Sequence, residues 1–293
     1  MTVTDSTSGL IDDREVLSKE QIEYSASAQV AFNGNRVNGV PVNLNAIAAW
    51  FDSSSDIHST GPAQGPGPAD FFLEPHLLVS RLLENIDCGL KVLDLGCGYG
   101  LNSIMLSGET NEVWAIDIAQ ERIVQVTENI NRANLSDRVF VRCMDAHNLD
   151  FPNDWFDLIL ANSVLLWVDK ERVLQQCKRV LKPGGRILFS METMAENPVL
   201  KLHRLRPSKR KRESMVCRLD LAAIRLLSSR FSSARSWQFH LLSPVLYPMA
   251  KWKSRSQIIR SAIKKLQRVD ALLLERFPRL RRYAWVTVLE FTK

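Results

Sequence analysis

Five short apolar runs alternate with helical patterns between residues 91 and 191, and this alternation constrains the fold more than any other feature. The runs are KVLDLGC (91–97), EVWAIDI (112–118), RVFVRCMDA (138–146), FDLILANS (156–163) and GRILFSM (185–191). Alternation at this spacing predicts a parallel sheet with helices on both faces. The nearly continuous apolar character of the runs fits strands that are buried on both sides. We therefore predict a doubly wound α/β fold.

Three regions are predicted along the chain. Residues 1–68 would form an N-terminal cap and lid, of which residues 1–45 are mostly polar, and a loop rich in Gly and Pro is expected at 56–70. Residues 69–193 would form the core that contains the alternating runs. Residues 194–293 depart from the alternation and would complete the sheet while adding helices.

The last region is predicted to contain two helices and two strands. They are expected at 220–231, 254–277, 236–242 and 282–291. The 254–277 helix is amphipathic, with its apolar residues on one face and its basic residues on another. The expected apolar face holds Ile259, Ala262, Leu266, Val269 and Leu273, and the basic face holds Arg260, Lys264 and Arg268. Such a helix packs on its own protein or lies at a membrane surface.

The composition excludes several classes of protein. No stretch approaches the roughly 20 apolar residues that a spanning helix needs. The first residues lack the cationic and apolar segments of a signal peptide, so we expect no export. Five scattered cysteines without a CxxC pair argue against a disulfide framework or a zinc site, so no metal is predicted. They fit a reducing cytoplasm.

The net charge of +6 conceals an uneven distribution. Residues 201–293 hold 23 Lys and Arg against 5 Asp and Glu, a local charge of +18. Residues 1–200 therefore carry −12. The last third of the chain is therefore strongly basic, whereas the rest is acidic. The basic character of the last third hints at an anionic acceptor or surface.

A glycine-rich loop follows the first core strand. In VLDLGCGYG (92–100), Gly96, Gly98 and Gly100 are spaced two apart and precede a helix. Glycine lets the backbone turn sharply and come close to a ligand. A tight strand-to-helix turn without a ligand is the alternative, because a glycine loop alone is weak support for a binding site.

Polar residues follow the next three predicted strands. Asp117 ends the second strand, Asp145 and Ala146 follow the third, and Asn162 and Ser163 end the fourth. The carboxyl ends of parallel strands border the crevice where open α/β sheets bind ligands. A carboxylate at the end of the second strand can accept both ribose hydroxyls of a nucleoside. Helix N-capping is the alternative for each acid taken singly.

The loop spacing argues against a dinucleotide. The dinucleotide loop is GxGxxG and faces a pyrophosphate, whereas this loop is GxGxG and is preceded by Asp94. A carboxylate at the mouth of the loop would repel a diphosphate but could serve an ammonium or a sulfonium. The sequence therefore disfavours NAD.

Four blocks in order resemble class I S-adenosylmethionine-dependent methyltransferases, of the small-molecule type 11 group that includes the ubiquinone and menaquinone methylases. The blocks are DLGCGYG (94–100), AID (115–117), MDAHNLDFP (144–152) and LKPGGRILF (181–189). The resemblance covers roughly residues 45–193. It implies a Rossmann-like, mostly parallel seven-stranded sheet with an N-terminal helical cap and a C-terminal helical insertion. It also implies S-adenosylmethionine as the cofactor.

The resemblance assigns the glycine loop to the methionine part of the cofactor. Gly96, Cys97 and Gly98 would pass beneath it, with Asp94 nearby. Gly100 would complete the loop.

The remaining cofactor contacts are implied at the next strand ends. Asp117 would hold the ribose hydroxyls, and Ile118 would pack on adenine. Asp145 would accept from the adenine amino group, with the Ala146 backbone facing the ring. Asn162 would lie beside the methionine ammonium.

Methyl transfer from a sulfonium is an in-line displacement that requires alignment of the acceptor and exclusion of water. An oxygen or nitrogen acceptor can also require a base. His147 and His240 are the candidates, although no base is identified. His147 could instead contact the cofactor or lie in a solvated loop, and His240 could be a hydrogen-bonded structural residue.

Four residues are candidates for acceptor binding. Tyr24 and Phe51 lie in the predicted cap, where relatives cover the cofactor. Trp167 stands where relatives often have a histidine, and it would offer a flat apolar wall to a planar substrate or pack in the core. Arg204 begins the basic segment HRLRPSKRKRES (203–214), which is a solvated loop, an anion-binding lid, or a contact for nucleic acid or an anionic membrane.

We predict an S-adenosylmethionine-dependent methyltransferase that methylates a small natural-product or similar acceptor, at oxygen or nitrogen. A peripheral membrane methylase of a lipid or prenylated acceptor is the first alternative. An RNA methyltransferase is less favoured, because the basic segment lacks interleaved aromatic residues. A cofactor-binding protein without activity is a further alternative, and a homo-oligomer is left open.

Overall fold

A computed structural model describes residues 36–37, 40–41, 72–84, 89–108, 111–203, 219–252 and 257–293. The described strands are β1 (Arg36–Val37), β2 (Val40–Pro41), β3 (Lys91–Leu95), β4 (Glu112–Asp117), β5 (Val139–Cys143), β6 (Phe156–Asn162), β7 (Leu181–Thr193), β8 (Ser233–Phe239) and β9 (Val286–Thr292). β1 and β2 pair with each other. Most of the predicted cap and lid at 1–68 lies outside the described residues, and the three-region division stays a prediction.

Helices connect β3 to β4, β4 to β5 and β6 to β7, as the alternating pattern predicts, whereas residues 144–155 join β5 to β6 without a helix. The α-helices are α1 (Leu73–Glu84), α2 (Leu101–Ser107), α3 (Gln120–Arg132), α4 (Lys170–Val180), α5 (Pro198–His203), α6 (Leu221–Ser228), α7 (Tyr247–Trp252) and α8 (Gln257–Arg276). Among the described residues, two 3₁₀ helices span Ser243–Leu246 and Pro278–Tyr283. Asp220 caps α6 by accepting from the backbone nitrogen of Ala223 at 2.7 Å.

Seven strands form one sheet in the order β5-β4-β3-β6-β7-β9-β8. β3 to β7 are parallel, and β9 lies antiparallel between β7 and β8. The chain order reverses direction at β3, with β4 on one side and β6 on the other. This confirms the predicted doubly wound, mostly parallel sheet. The crevice expected at such a reversal lies at the carboxyl ends of β3, β4 and β6.

Apolar side chains alternate between the two faces of the buried sheet. On β3, Leu93 and Leu95 join the core on one face, whereas Val92 joins the core on the other. All three are fully buried. The strands therefore need apolar residues at nearly every position, which explains the continuous runs in the sequence.

The last two predicted strands have different bounds in the structure. The last strand begins at Val286 rather than 282, because residues 278–283 form a 3₁₀ helix that begins with Pro278. The preceding strand ends at Phe239 rather than 242. His240 has a φ of 65°, which takes the chain out of the sheet.

The predicted faces of α8 are partly wrong. The helix buries Ile263, Gln267 and Asp270, whereas Ala262 and Val269 are exposed. Periodicity identifies the apolar residues on a helix, but it cannot tell which of two neighbouring faces packs on the core. Here the buried carboxylate of Asp270, which binds the backbone of residues 241–243, lies on the packed face. Within the described residues, no helix combines the length and apolarity that are needed to cross a bilayer.

Candidate functional site

The glycine loop turns from β3 into α2 beside the end of β4. Gly96, Gly98 and Gly100 all have positive φ angles, of 73°, 56° and 82°. The backbone nitrogens of Gly96 and Cys97 both donate to the carbonyl of Ile116, at 2.8 and 2.9 Å. The loop is therefore tied to β4 through backbone hydrogen bonds, in a conformation that favours glycine.

The three glycines have different surroundings. A Cβ atom at Gly100 would lie 2.3 Å from Val126 Cγ2, and one at Gly96 would lie 2.8 Å from Val164 Cγ2. A Cβ at Gly98 would meet no atom of the described residues within 4 Å. Gly96 and Gly100 thus allow close packing within the protein, whereas Gly98 leaves its backbone open to a ligand.

Asp117 binds this loop through its side chain. Its Oδ2 accepts from the backbone nitrogen of Gly98 at 3.1 Å. Its Oδ1 accepts from the backbone nitrogen of Ala119 at 3.0 Å. These bonds hold the carboxylate at the carboxyl edge of β4, beside the open side of the loop.

Asp94 is buried within β3, whereas the sequence predicts a carboxylate at the mouth of the loop. It is fully buried, because it belongs to a central strand, and its Oδ2 accepts from Ser103 Oγ at 2.5 Å. Burial raises its pKa to about 7, against the lowering effect of the Ser103 bond. Among the described residues, none donates to its other oxygen, Oδ1.

A hydrogen-bonded chain of side chains follows β5. His147 Nδ1 lies 2.6 Å from Asp145 Oδ1, and the His147 backbone nitrogen donates to the same oxygen at 2.9 Å. Nε2 of His147 accepts from the backbone nitrogen of Asp169 at 3.0 Å, which assigns the proton to Nδ1. The bonds from His147 lower the pKa of Asp145. Both ring nitrogens of His147 are engaged in joining the β5 loop to the start of α4.

The turn after β6 is held from β7. Glu192 Oε1 accepts from the backbone nitrogens of Val164 and Leu165, at 2.9 and 3.1 Å. Glu192 is almost fully buried, and burial raises its pKa to about 8. Asn162 Oδ1 accepts from Ser190 Oγ at 3.2 Å, so the ends of these two strands are joined at several points.

The comparisons with known proteins agree with this geometry. A family model described as a methyltransferase domain matches residues 93–189. A ubiquinone/menaquinone biosynthesis C-methyltransferase from Vibrio vulnificus (strain YJ016) is 30% identical over 189 residues, which cover 60% of this chain and 67% of that relative. The chain belongs to the class I S-adenosylmethionine-dependent methyltransferases.

Two further comparisons show the extent of the likeness. Methyltransferase GfsG from Streptomyces halstedii is 32% identical over 117 residues, 39% of this chain and 42% of that relative. The region of this chain that matches thus spans less than half the length of GfsG. The structure of geranyl diphosphate C-methyltransferase from Streptomyces coelicolor A3(2) aligns with a TM-score of 0.51 at 15% identity, over 80% of this chain and 87% of that one. It supports the fold.

The residues of the crevice fit the family's cofactor, S-adenosylmethionine. Gly98 leaves room for close approach, and Asp117 stands beside it with two carboxylate oxygens. Ile118 follows with its side chain 69% exposed, so it can cover a flat ring. The Oδ1 atom of Asp94 adds a buried acceptor beneath the loop. The fit depends on the open backbone, the carboxylate oxygens and the exposed apolar side chain of these residues. The role of each residue in binding the cofactor stays a prediction.

The structure separates the two histidine candidates. His240 is buried beyond the end of β8, with its Nδ1 3.3 Å from Ser243 Oγ and its ring against Phe72 and Trp285. Burial lowers its pKa to about 3, which makes it a weak base. The surroundings favour the structural interpretation of His240, and the catalytic role of either histidine stays a prediction.

Trp167 is 61% exposed, so the interpretation as a core residue is wrong. It lies on the turn after β6, beyond Asn162. A flat apolar side chain at this edge remains a candidate for acceptor binding. Tyr24, Phe51 and Arg204 lie outside the described residues, and their roles stay predictions.

Sequence reasoning missed three residues that support the site. Glu192 and Ser103 act through the hydrogen bonds described above. Arg122 stacks on the ring of Tyr99 in the glycine loop, with its guanidinium carbon 3.9 Å from the ring centre. For Glu192, the sequence offered one signal of a supporting role, which is an acidic residue directly after the apolar run 185–191.

Proposed function

We propose that this chain transfers the methyl group of S-adenosylmethionine to a small-molecule acceptor, at oxygen or nitrogen. The observation that carries the proposal is the pairing of Asp117 with the open backbone of Gly98. A carboxylate at this strand end accepts from ribose hydroxyls, and the neighbouring loop accommodates the rest of the cofactor.

Each nearby group has a binding role in this proposal. Asp117 accepts from the ribose hydroxyls, and Ile118 packs on adenine. Asp145 accepts from the adenine amino group, and the Ala146 backbone faces the ring; the bonds between Asp145 and His147 support this loop. Asn162 lies beside the methionine ammonium at the end of β6.

The cofactor supplies an activated methyl group when it is bound. The protein then has to hold the acceptor in line with the departing sulfur and exclude water, which can contribute several kcal/mol to lowering the barrier. Trp167 provides a flat apolar surface for this purpose. A hydroxyl or amine acceptor loses its proton to water or to a nearby base when its bond to the methyl carbon forms, so the proposal does not require a histidine base.

The named relatives support a small-molecule acceptor. One is a 27-O-demethylrifamycin SV methyltransferase from Amycolatopsis mediterranei, 31% identical over 112 residues. The name of that relative supports a small-molecule acceptor, and we propose an acceptor of the natural-product class for this chain. A cytoplasmic location belongs to the same proposal, and the scattered cysteines support it.

Calorimetric titration with S-adenosylmethionine and S-adenosylhomocysteine tests the cofactor site. We expect Asp117→Ala to weaken binding at least about tenfold through lost charge-assisted hydrogen bonds. Asp137→Ala is the matched control, because Asp137 is an exposed carboxylate that pairs with its neighbour Arg138. Absence of binding by the wild type would overturn the proposal, and unchanged binding by Asp117→Ala would overturn the ribose assignment.

The acceptor is tested separately with a labelled methyl donor and fractionated cell extract. Label in a small molecule that is lost with Asp117→Ala is the expected result. Label in RNA would favour the RNA methyltransferase alternative. Cofactor binding without label in any fraction would indicate a binding protein without activity.

A further inference from the structure

The solvent face of α8 is apolar as well as basic. Its exposed stripe follows spacings of three and four residues, the repeat of a single helix face. The stripe consists of Ile258, Ala262, Lys265, Val269, Leu272 and Arg276. Ile258 is 83% exposed and Leu272 is 56% exposed. The opposite side of the helix already packs against the protein through Ile263 and Leu274. The exposed apolar residues are therefore surplus to the core.

The neighbouring short helices extend this surface. Val245 in the first 3₁₀ helix is 55% exposed, and Met249 in α7 is 52% exposed. Asp270 of α8 joins the elements, because its Oδ1 accepts from the backbone nitrogen of Leu242 at 2.7 Å. Its Oδ2 accepts from the backbone nitrogen of Ser243 at 2.9 Å. The exposed apolar residues thus lie on elements that a buried carboxylate holds together.

The charge of this part of the chain matches an anionic surface. Lys265, Arg268 and Arg276 are exposed on α8 among its apolar residues, and Glu275 is the exposed acid of its last turn. The whole segment 201–293 carries +18. Basic residues interspersed with exposed aliphatic residues are typical of helices that lie at a lipid interface.

The surface borders the same edge of the sheet as the cofactor crevice. β8 runs parallel to β3 through β7, so Phe239 ends at the edge where Gly96 begins the loop. Val245, Met249 and the start of α8 follow beyond that end.

We propose that this apolar-basic surface docks the protein on an anionic lipid bilayer. It is defined by Leu242, Val245, Met249, Ile258, Lys265, Arg268, Val269, Leu272 and Arg276. A second copy of the chain is a poorer occupant, because a twofold interface would bring the basic residues of the two copies together and they would repel each other. RNA is also poorer, because the surface offers aliphatic rather than stacking side chains. The inference goes beyond the proposed function and does not depend on methyl transfer.

Sedimentation of the full chain with vesicles tests the proposal. The vesicles contain phosphatidylcholine alone or with about one third phosphatidylglycerol, in salt of about 0.1 M or about 0.5 M. We expect binding to the anionic vesicles that weakens at high salt. Leu272→Gln should lower the bound-to-free ratio about threefold, and the triple variant with Val245→Gln and Met249→Gln at least about tenfold. Leu226→Gln is the matched control, since Leu226 is 54% exposed on α6 and should leave binding unchanged.

Melting curves and S-adenosylhomocysteine titration establish that each variant is folded. Equal binding to neutral and anionic vesicles, or wild-type binding by the triple variant, would overturn the proposal. A dimer that dissociates in the triple variant, without vesicle binding, would assign the surface to a second copy. Binding of a labelled RNA homopolymer in place of vesicles would overturn it as well. Loss of vesicle binding with intact cofactor binding would leave the proposed function untouched.

Discussion

Glu192 Oε1 lies 2.9 Å from the backbone nitrogen of Val164 and so ties the end of β7 to the turn after β6. Val164 in turn packs its Cγ2 against the place where Gly96 lacks a side chain. One buried carboxyl group therefore supports the glycine loop through a single intervening residue. The backbone at Met191, with a φ of 58°, and the irregular pairing of β7 with β9 accompany this inward position of Glu192.

Removal of this carboxyl group should destabilise the protein. Glu192→Ala leaves the backbone nitrogens of Val164 and Leu165 buried without their acceptor, which costs about 2 kcal/mol. Glu192→Gln retains an acceptor oxygen and should cost less. Urea unfolding measures the difference, with Glu121→Ala on the exposed start of α3 as the control. Equal midpoints for Glu192→Ala and Glu121→Ala would contradict the supporting role.

The same residue should make stability depend on pH. Burial raises the pKa of Glu192 from 4.5 to about 8. Between these values the folded state holds a proton that the unfolded state releases, so the free energy of unfolding falls as pH rises. The contribution is complete below pH 4.5 and is lost as the pH passes about 8. We expect the stability of wild type relative to Glu192→Gln to decline across this window in urea unfolding. A constant difference would show that the pKa is not raised.

Two glycines of the loop should respond differently to alanine. Gly100→Ala adds a Cβ that would lie 2.3 Å from Val126 Cγ2 at a left-handed φ, so we expect a loss of about 3 kcal/mol in stability. Gly98→Ala has only the backbone strain, about 1 kcal/mol, but it fills the open side of the loop. It should weaken S-adenosylhomocysteine binding at least about tenfold. Urea unfolding and calorimetry separate the two effects, and the reverse pattern would refute the distinction drawn between these glycines.

His147 should act by holding the β5 loop rather than as a base. His147→Ala removes the bonds to Asp145 and Asp169, so we expect cofactor binding to weaken about fivefold. The pH–rate profile with the identified acceptor should keep its shape, because no proton is transferred through this ring. An acid limb that the wild type shows and the variant lacks would instead identify His147 as a base.

Trp167 should affect the acceptor and not the fold. Its side chain is largely exposed, so Trp167→Ala should change stability by less than about 0.5 kcal/mol. We expect KM for the acceptor to rise while cofactor binding stays the same, because the residue lies beyond Asn162. Steady-state kinetics with a melting curve tests this. A large loss of stability in Trp167→Ala would contradict this and indicate that Trp167 packs in the core.

The sequence alone determined the features that depend on short stretches of chain. The strand and helix periods predict β3 to β7 because burial on both faces demands continuous apolar strands. The glycine spacing and Asp117 predict the binding edge because a strand, a turn and the next strand end are local patterns. These predictions agree with the sheet order and with the bond between Asp117 and Gly98.

Only the tertiary structure decided the features that join distant segments. His147 meets Asp169 across 22 residues, and Glu192 meets Val164 across 28. Neither contact leaves a periodic signal, because hydrogen-bond partners depend on where whole strands come to lie. The exposed stripe of α8 depends likewise on Asp270, whose burial against residues 241–243 sets the rotation of the helix. The sequence carries the charge of that helix, but the fold decides which side faces the solvent.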